Sequence, residues 1–115
     1  MQRLLTVDKL QPGMLVQLMP YYNAQCLHMI PYMQLISSYP GDEGYRISWL
    51  YVGDFYERPN DKFLQGWKKI ENQPMLVVEN TCVPTANFIK LLTNNQLFNC
   101  NVFQLRRKYA KFKVL

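Results

Sequence analysis

Apolar and polar positions alternate along this chain in short runs, and proline–glycine or paired asparagines separate one run from the next. A period of two is the mark of strands, and short runs bounded by turn residues predict a β protein. Pro12-Gly13 is the first such signal: proline presets φ and glycine accepts a positive one, so a turn there feeds a strand over 14–18. Pro20 ends that strand, and 21–31 is expected to run as an irregular loop to Pro31. A strand follows over 32–39, then a turn carrying Pro40-Gly41 and Gly44, then a strand over 45–52. In the latter, Tyr45, Ile47, Trp49 and Tyr51 share one face, with Arg46, Ser48, Leu50 and Val52 on the other. Both faces carry apolar groups, which predicts a strand covered on two sides or set beside an interface.

Residues 53–74 have the least regular pattern. A turn of helix over 61–66 and a strand over 67–70 are the elements expected there. Beyond Pro74 the pattern sharpens. A strand over 75–79 precedes an alternating run over 88–93, and Asn94-Asn95 links it to a returning run over 96–102. Asparagine visits the left-handed region that tight hairpin turns require, so a hairpin is predicted. Phe98, Cys100 and Val102 face inward in that hairpin, while Asn99 and Asn101 are expected to face solvent. One helical turn over 103–108 and a last strand over 111–114 finish the chain. No repeat or linker divides it, which predicts a single all-β domain over 1–115.

Two stretches carry a resemblance to a known architecture. Leu10-Gln11-Pro12-Gly13-Met14-Leu15-Val16-Gln17-Leu18 is similar to the proline–glycine turn and first apolar strand of many small barrels. Residues 75–115 supply MLVVE, the hairpin FIKLLTNNQLFNCNVF, the turn QLRRKY and the strand KFKVL, and they resemble the closing half of an SH3-like barrel. The ending looks in particular like that of small SH3-like proteins encoded by tailed bacteriophages. The resemblance spans about half of the chain. It implies an SH3-like small barrel with a long elaborated loop region over 20–74 and a C-terminal β-hairpin plus final strand. It carries over no site residue.

Composition changes this picture in three respects. Hydrophobic residues make up 49% and charged residues 18%, below the roughly 25% charged of an average domain, so the chain is expected to fold. The charge is uneven: residues 1–79 hold seven basic and eight acidic groups, while 80–115 hold six basic groups and no acid. Cys26, Cys82 and Cys100 are odd in number, and none is spaced as a metal-ligand pair, so reduced thiols are expected. No secretory leader and no run of about 18 apolar residues is legible, and a virion or host-cytoplasmic location without a membrane is expected.

Catalytic groups are sparse. His28 is the lone histidine, and no spacing of histidine or cysteine suits zinc. Cys26 and His28 would point the same way on an extended strand, but no third group orients the base. Asp42 and Glu43 read as an acidic turn, without the alternating ligands of a calcium loop. The five glycines are scattered and build no phosphate loop. No metal, no cofactor and no catalytic residue is expected.

Binding is therefore the leading expectation, in the form of a protein-docking module, a virion or accessory protein that holds other protein subunits. Tyr21, Tyr22, Trp49, Tyr51 and Phe55 are its expected contact residues, as a contiguous exposed aromatic patch. The alternative is a nucleic-acid-binding barrel. Arg106, Arg107, Lys108, Lys111 and Lys113, with Tyr109 and Phe112 between them, could meet phosphates and stack on bases. The same lysines would serve equally to solvate the outer face of a closing strand. A third possibility is an inhibitor that binds one host enzyme.

Overall fold

Only two residues, Met19 and Pro20, separate β2 (Leu15–Leu18) from β3 (Tyr21–Tyr22), yet these strands lie six places apart in one sheet. In a flat sheet that separation would be about 29 Å at ~4.8 Å per strand. Three Cα steps reach about 11 Å at most. The sheet must therefore curl until its far edge meets β2.

The computed structural model describes residues 3–39, 42–57, 62, 64 and 66–115. Among them the other strands are β1 (Leu4–Thr6), β4 (His28–Tyr39), β5 (Asp42–Tyr51), β6 (Trp67–Lys69), β7 (Met75–Val83), β8 (Ala86–Thr93), β9 (Gln96–Phe103) and β10 (Lys111–Val114). They form one all-β sheet in the order β1-β10-β2-β7-β8-β9-β5-β4-β3, with β6 also paired to β4. All pairs are antiparallel except β5 with β9. The β3 end of this path approaches β10 through side chains and single bonds. Met19 N–H donates to the Lys111 carbonyl at 3.0 Å, and the Trp49 indole N–H donates to the Met19 carbonyl at 2.9 Å. The Tyr21 ring stacks on Tyr109 with centroids 4.9 Å apart. No ladder joins β3 to β1 or β10 among the described residues, so the sheet is not closed into a barrel. This corrects the expected closure, for which β1, lying outside β10, leaves no free edge beside β2.

The turns follow their chemistry. Met14 N–H donates to the Gln11 carbonyl at 3.2 Å, and Gly13 has φ +94°, which gives Pro12-Gly13 the form of a type II turn. Asn94 and Asn95 have φ of 51° and 61°, the doubly left-handed link of a type I′ hairpin. The predicted hairpin forms across it, pairing Leu91 with Phe98 and Ile89 with Cys100. Phe98, Cys100 and Val102 are buried together, as their alternation predicts. Asn99 and Asn101 are half-buried instead of solvated, because β5 pairs on the far side of β9 and flanks them with Gly44 and Arg46.

The core fills the inner face of the curl. Val16 and Leu18, Val77, Ile89 and Leu91, Ile47 and Phe112 are all fully buried there. Asn80 pins the N-terminal 3₁₀ turn Val7–Lys9 to this core, its amide donating to the carbonyls of Val7 and Leu10 at 2.8 and 3.0 Å.

The segment 19–74 departs most from expectation. The loop predicted over 21–31 holds β3 and the start of β4, paired as Tyr21 with Met29 and Tyr22 with His28. Pro31 sits inside β4 because its missing N–H falls between the stretches paired to β3 and β6. Its carbonyl alone is used, by Ile70 N–H at 3.3 Å. Strand β5 begins at Asp42, in what was expected to be a turn; Pro40-Gly41 lies outside the described residues. A short helix, α1 (Val52–Glu57), follows it, while most of 61–66 lies outside the described residues. The strand expected over 67–70 is present as β6. Ile30, Tyr32 and Leu64 are buried outside the main core. Ile30 and Tyr32 lie on the outer face of β4, where α1 packs, so β5 has covered groups on both faces, as its sequence predicts. Burial, with Glu71 and Tyr56 nearby, raises the pKa of Tyr32.

Candidate functional site

The expected aromatic patch does not assemble at the surface. Trp49 is 1% exposed, because the inward parity of β5 puts its ring in the core and its N–H on Met19. Tyr21 is half-buried between Trp49 and Tyr109. Tyr51 is half-buried beside Gly53, where an added methyl would collide with its ring. Among the four whose side chains are described, Tyr22 alone is well exposed, at 71%, and it stacks on His28. The side chain of Phe55 lies outside the described residues.

The basic residues fall into two groups. Arg106 lines a groove on the outer face of β5, and Arg107 turns its guanidinium inward to donate to the Val83 carbonyl. The Lys108 ammonium lies over Tyr109, 5.0 Å from the ring centroid. Lys111 and Lys113 stand on the outer face of β10, on either side of the buried Phe112. Arg106, Arg107, Lys108 and Tyr109 line one recess, and Lys111 and Lys113 lie apart from it.

Register assembles a different surface. Leu15 pairs with Leu76, Leu76 with Leu92, and Leu92 with Leu97. Leu115 donates its N–H to the Leu15 carbonyl at 2.9 Å and extends the row beyond β10. Directly opposed residues share a face, so five leucines stand side by side on the outside of β10, β2, β7, β8 and β9. The row is about 19 Å long at ~4.8 Å per strand. Leu15, Leu92, Leu97 and Leu115 are 44, 38, 48 and 49% exposed, and Leu76 is half-buried. Gln17, Lys113 and the Asn94-Asn95 turn flank one side. The Glu79–Lys90 ion pair, at 3.1 Å, and Asn99 flank the other. An apolar strip inside a polar rim is the anatomy of a protein interface. Its sequence signal is an apolar residue at an outward position beside each inward one, in Leu15-Val16, Leu76-Val77, Leu91-Leu92, Leu97-Phe98 and Val114-Leu115. Only the pairing of the strands shows that these outward residues align.

A second feature is the groove itself, about 370 Å³ in volume, on the outer face of β4 and β5. Gln34, Arg46, Ser48 and Leu50 form its floor, with Trp67 on one side and Phe103, Leu105 and Arg106 on the other. The Arg46 guanidinium lies over Phe103, 4.8 Å from the ring centroid.

Cysteine and histidine are spread through the fold. Cys26 is exposed in the turn between β3 and β4, and Cys82 is exposed on β7. Cys100 is buried in the core, and burial pushes its thiol up to about 12. Among the described residues no three of His, Cys, Asp or Glu gather as a metal site, and no helix is long and apolar enough to cross a membrane. No family model matches this chain, and no curated protein or solved structure matches it either.

Proposed function

We propose that this chain is a non-catalytic docking module that seats its leucine row on another protein subunit. The observation that carries this reading is the alignment of Leu115, Leu15, Leu76, Leu92 and Leu97 across five strands inside a polar rim. Soluble domains rarely leave large contiguous apolar patches in water, and those they keep commonly mark contact sites. Truncation studies of interfaces show that a few buried anchors carry most of the binding energy. Leu92, at the centre of the sheet, is the anchor proposed here.

The strand order supports a finer reading of the architecture. The meander β2-β7-β8-β9 is followed by a 3₁₀ turn (Gln104–Arg106) and by β10, which returns beside β2. That order is consistent with an SH3-like unit whose first and second strands are separated by the segment 19–74. With the resemblance to small phage proteins, it favours a virion or accessory protein whose partner is a subunit of the same assembly.

The test uses the partner that co-purifies from native cells, identified by mass spectrometry and produced separately. Leu15→Asp with Leu92→Asp should weaken its association about a hundredfold or more, with the circular dichroism spectrum unchanged. Neutralising the exposed Lys108 and Lys111, which lie outside the leucine row, should leave association nearly intact, since solvated charges contribute little. The reverse pattern would replace docking with the nucleic-acid reading.

A further inference from the structure

The groove between Trp67 and Phe103 is built around positive charge that no described residue neutralises. Arg46 and Arg106 both line it, and no acid is among its described lining residues. Neither arginine has an ion pair among the described residues. The Nε of Arg46 is buried and finds no acceptor among the described residues. A buried donor left unpaired costs stability, so a native orphan calls for an explanation, and an absent ligand is one. The position is set by the sheet. Arg46 stands between Gln34 on β4 and Asn101 on β9, and its guanidinium carbon lies 4.8 Å from the Phe103 ring centroid. A guanidinium fixed on an aromatic face keeps its donor edge free and oriented.

We infer that this groove takes a carboxylate from an acidic segment of a protein partner, with an apolar neighbour of that carboxylate seated on Leu50 and Leu105. The fork of a guanidinium matches a carboxylate in two parallel hydrogen bonds. The groove's volume is that of a small recess, at the low end for ligand sites. A nucleic-acid strand instead needs a track of successive phosphate contacts. The neighbouring cations do not supply one, because Arg107 turns inward and Lys111 and Lys113 stand on β10. This inference rests on the docking reading only for the source of the carboxylate; it uses none of the leucine row.

The test is a titration followed by NMR through the Nε–Hε resonances of Arg46 and Arg106. The probe is a blocked peptide of alternating leucine and glutamate, with the glutamine version and a short oligothymidylate as comparisons. The glutamate peptide should shift both resonances saturably. Glutamine for glutamate should weaken binding about tenfold or more, as should Arg46→Gln or Arg106→Gln. Arg106→Gln leaves the Arg46–Phe103 stack in place and so separates lost recognition from altered folding. Three results would each overturn the inference: equal binding of the glutamine peptide, tighter binding of oligothymidylate at these arginines, or no shift of Arg46. Arg46→Gln leaves the row untouched, so association that survives it but is lost with Leu92→Asp would sink the groove alone.

Discussion

The meander β7-β8-β9 and the pairings of β5 with β9 and β6 with β4 differ in how far along the chain each strand finds its partner. In the five-strand unit β10-β2-β7-β8-β9, strands β7, β8 and β9 are joined by links of two residues, so each of these three pairs with the one beside it in the chain. Turn chemistry then fixes register directly, as Asn94-Asn95 does. In the segment 19–74, β5 finds β9 more than forty positions later, and β6 returns to β4 across α1. The first of these pairings joins the segment to the five-strand unit, and the second lies within the segment. Local signals specify a structure only where the partner is also local.

The largest expected effect tests whether the two regions share one core. Phe112→Ala removes a fully buried ring from β10 and should cost about 3–5 kcal/mol in urea unfolding. The aromatic signals of the segment 19–74 should be lost in the same transition. Two separate transitions would mean that the regions fold independently.

A narrower cut severs their link. Trp49→Phe removes the N–H that Met19 accepts, leaves a carbonyl unpaired and opens space in the core. It should cost about 1–3 kcal/mol, and amide hydrogen exchange should quicken more in β3 and β4 than in β8. Uniform loss of protection would show that the link is no weaker than the rest.

How much of this was legible follows the same division. The hairpin could be read because Asn94-Asn95 and the alternation of Phe98, Cys100 and Val102 agree. Strand β3 could not: Tyr21 and Tyr22 are two residues long and become a strand only through Met29 and His28. Pro31 argued against a strand, because its harmless orientation depends on where β3 ends and β6 begins. Alternation puts Trp49 on one face with Tyr45 and Ile47, and that face is the core and not an interface. The leucine row was hidden for a related reason. Each of its members is an ordinary strand residue, and only lateral register makes five of them a surface.

The smallest effect sharpens the local half of the comparison. Asn95→Gly gives the left-handed position a residue with no steric penalty there. Stability should rise by less than about 1 kcal/mol, with the folding rate rising by the same factor if the hairpin forms early. A gain confined to the unfolding rate would place this turn late in folding.

The position of β10 between β1 and β2 has a consequence for biosynthesis. A ribosome delivers the chain from its N-terminus, yet β1 has no neighbour in the sheet until residues 111–114 have emerged. Until then β1 stays unattached, and β2 presents an open edge on the side that β10 will occupy. Such edges are templates for pairing with another chain, and the hazard lasts as long as translation of the remaining residues. Lys111 and Lys113 arrive with the strand that ends it. A released chain cut after residue 110 should therefore be one that chaperones hold or proteases clear, because it lacks the strand that covers the edges of β1 and β2.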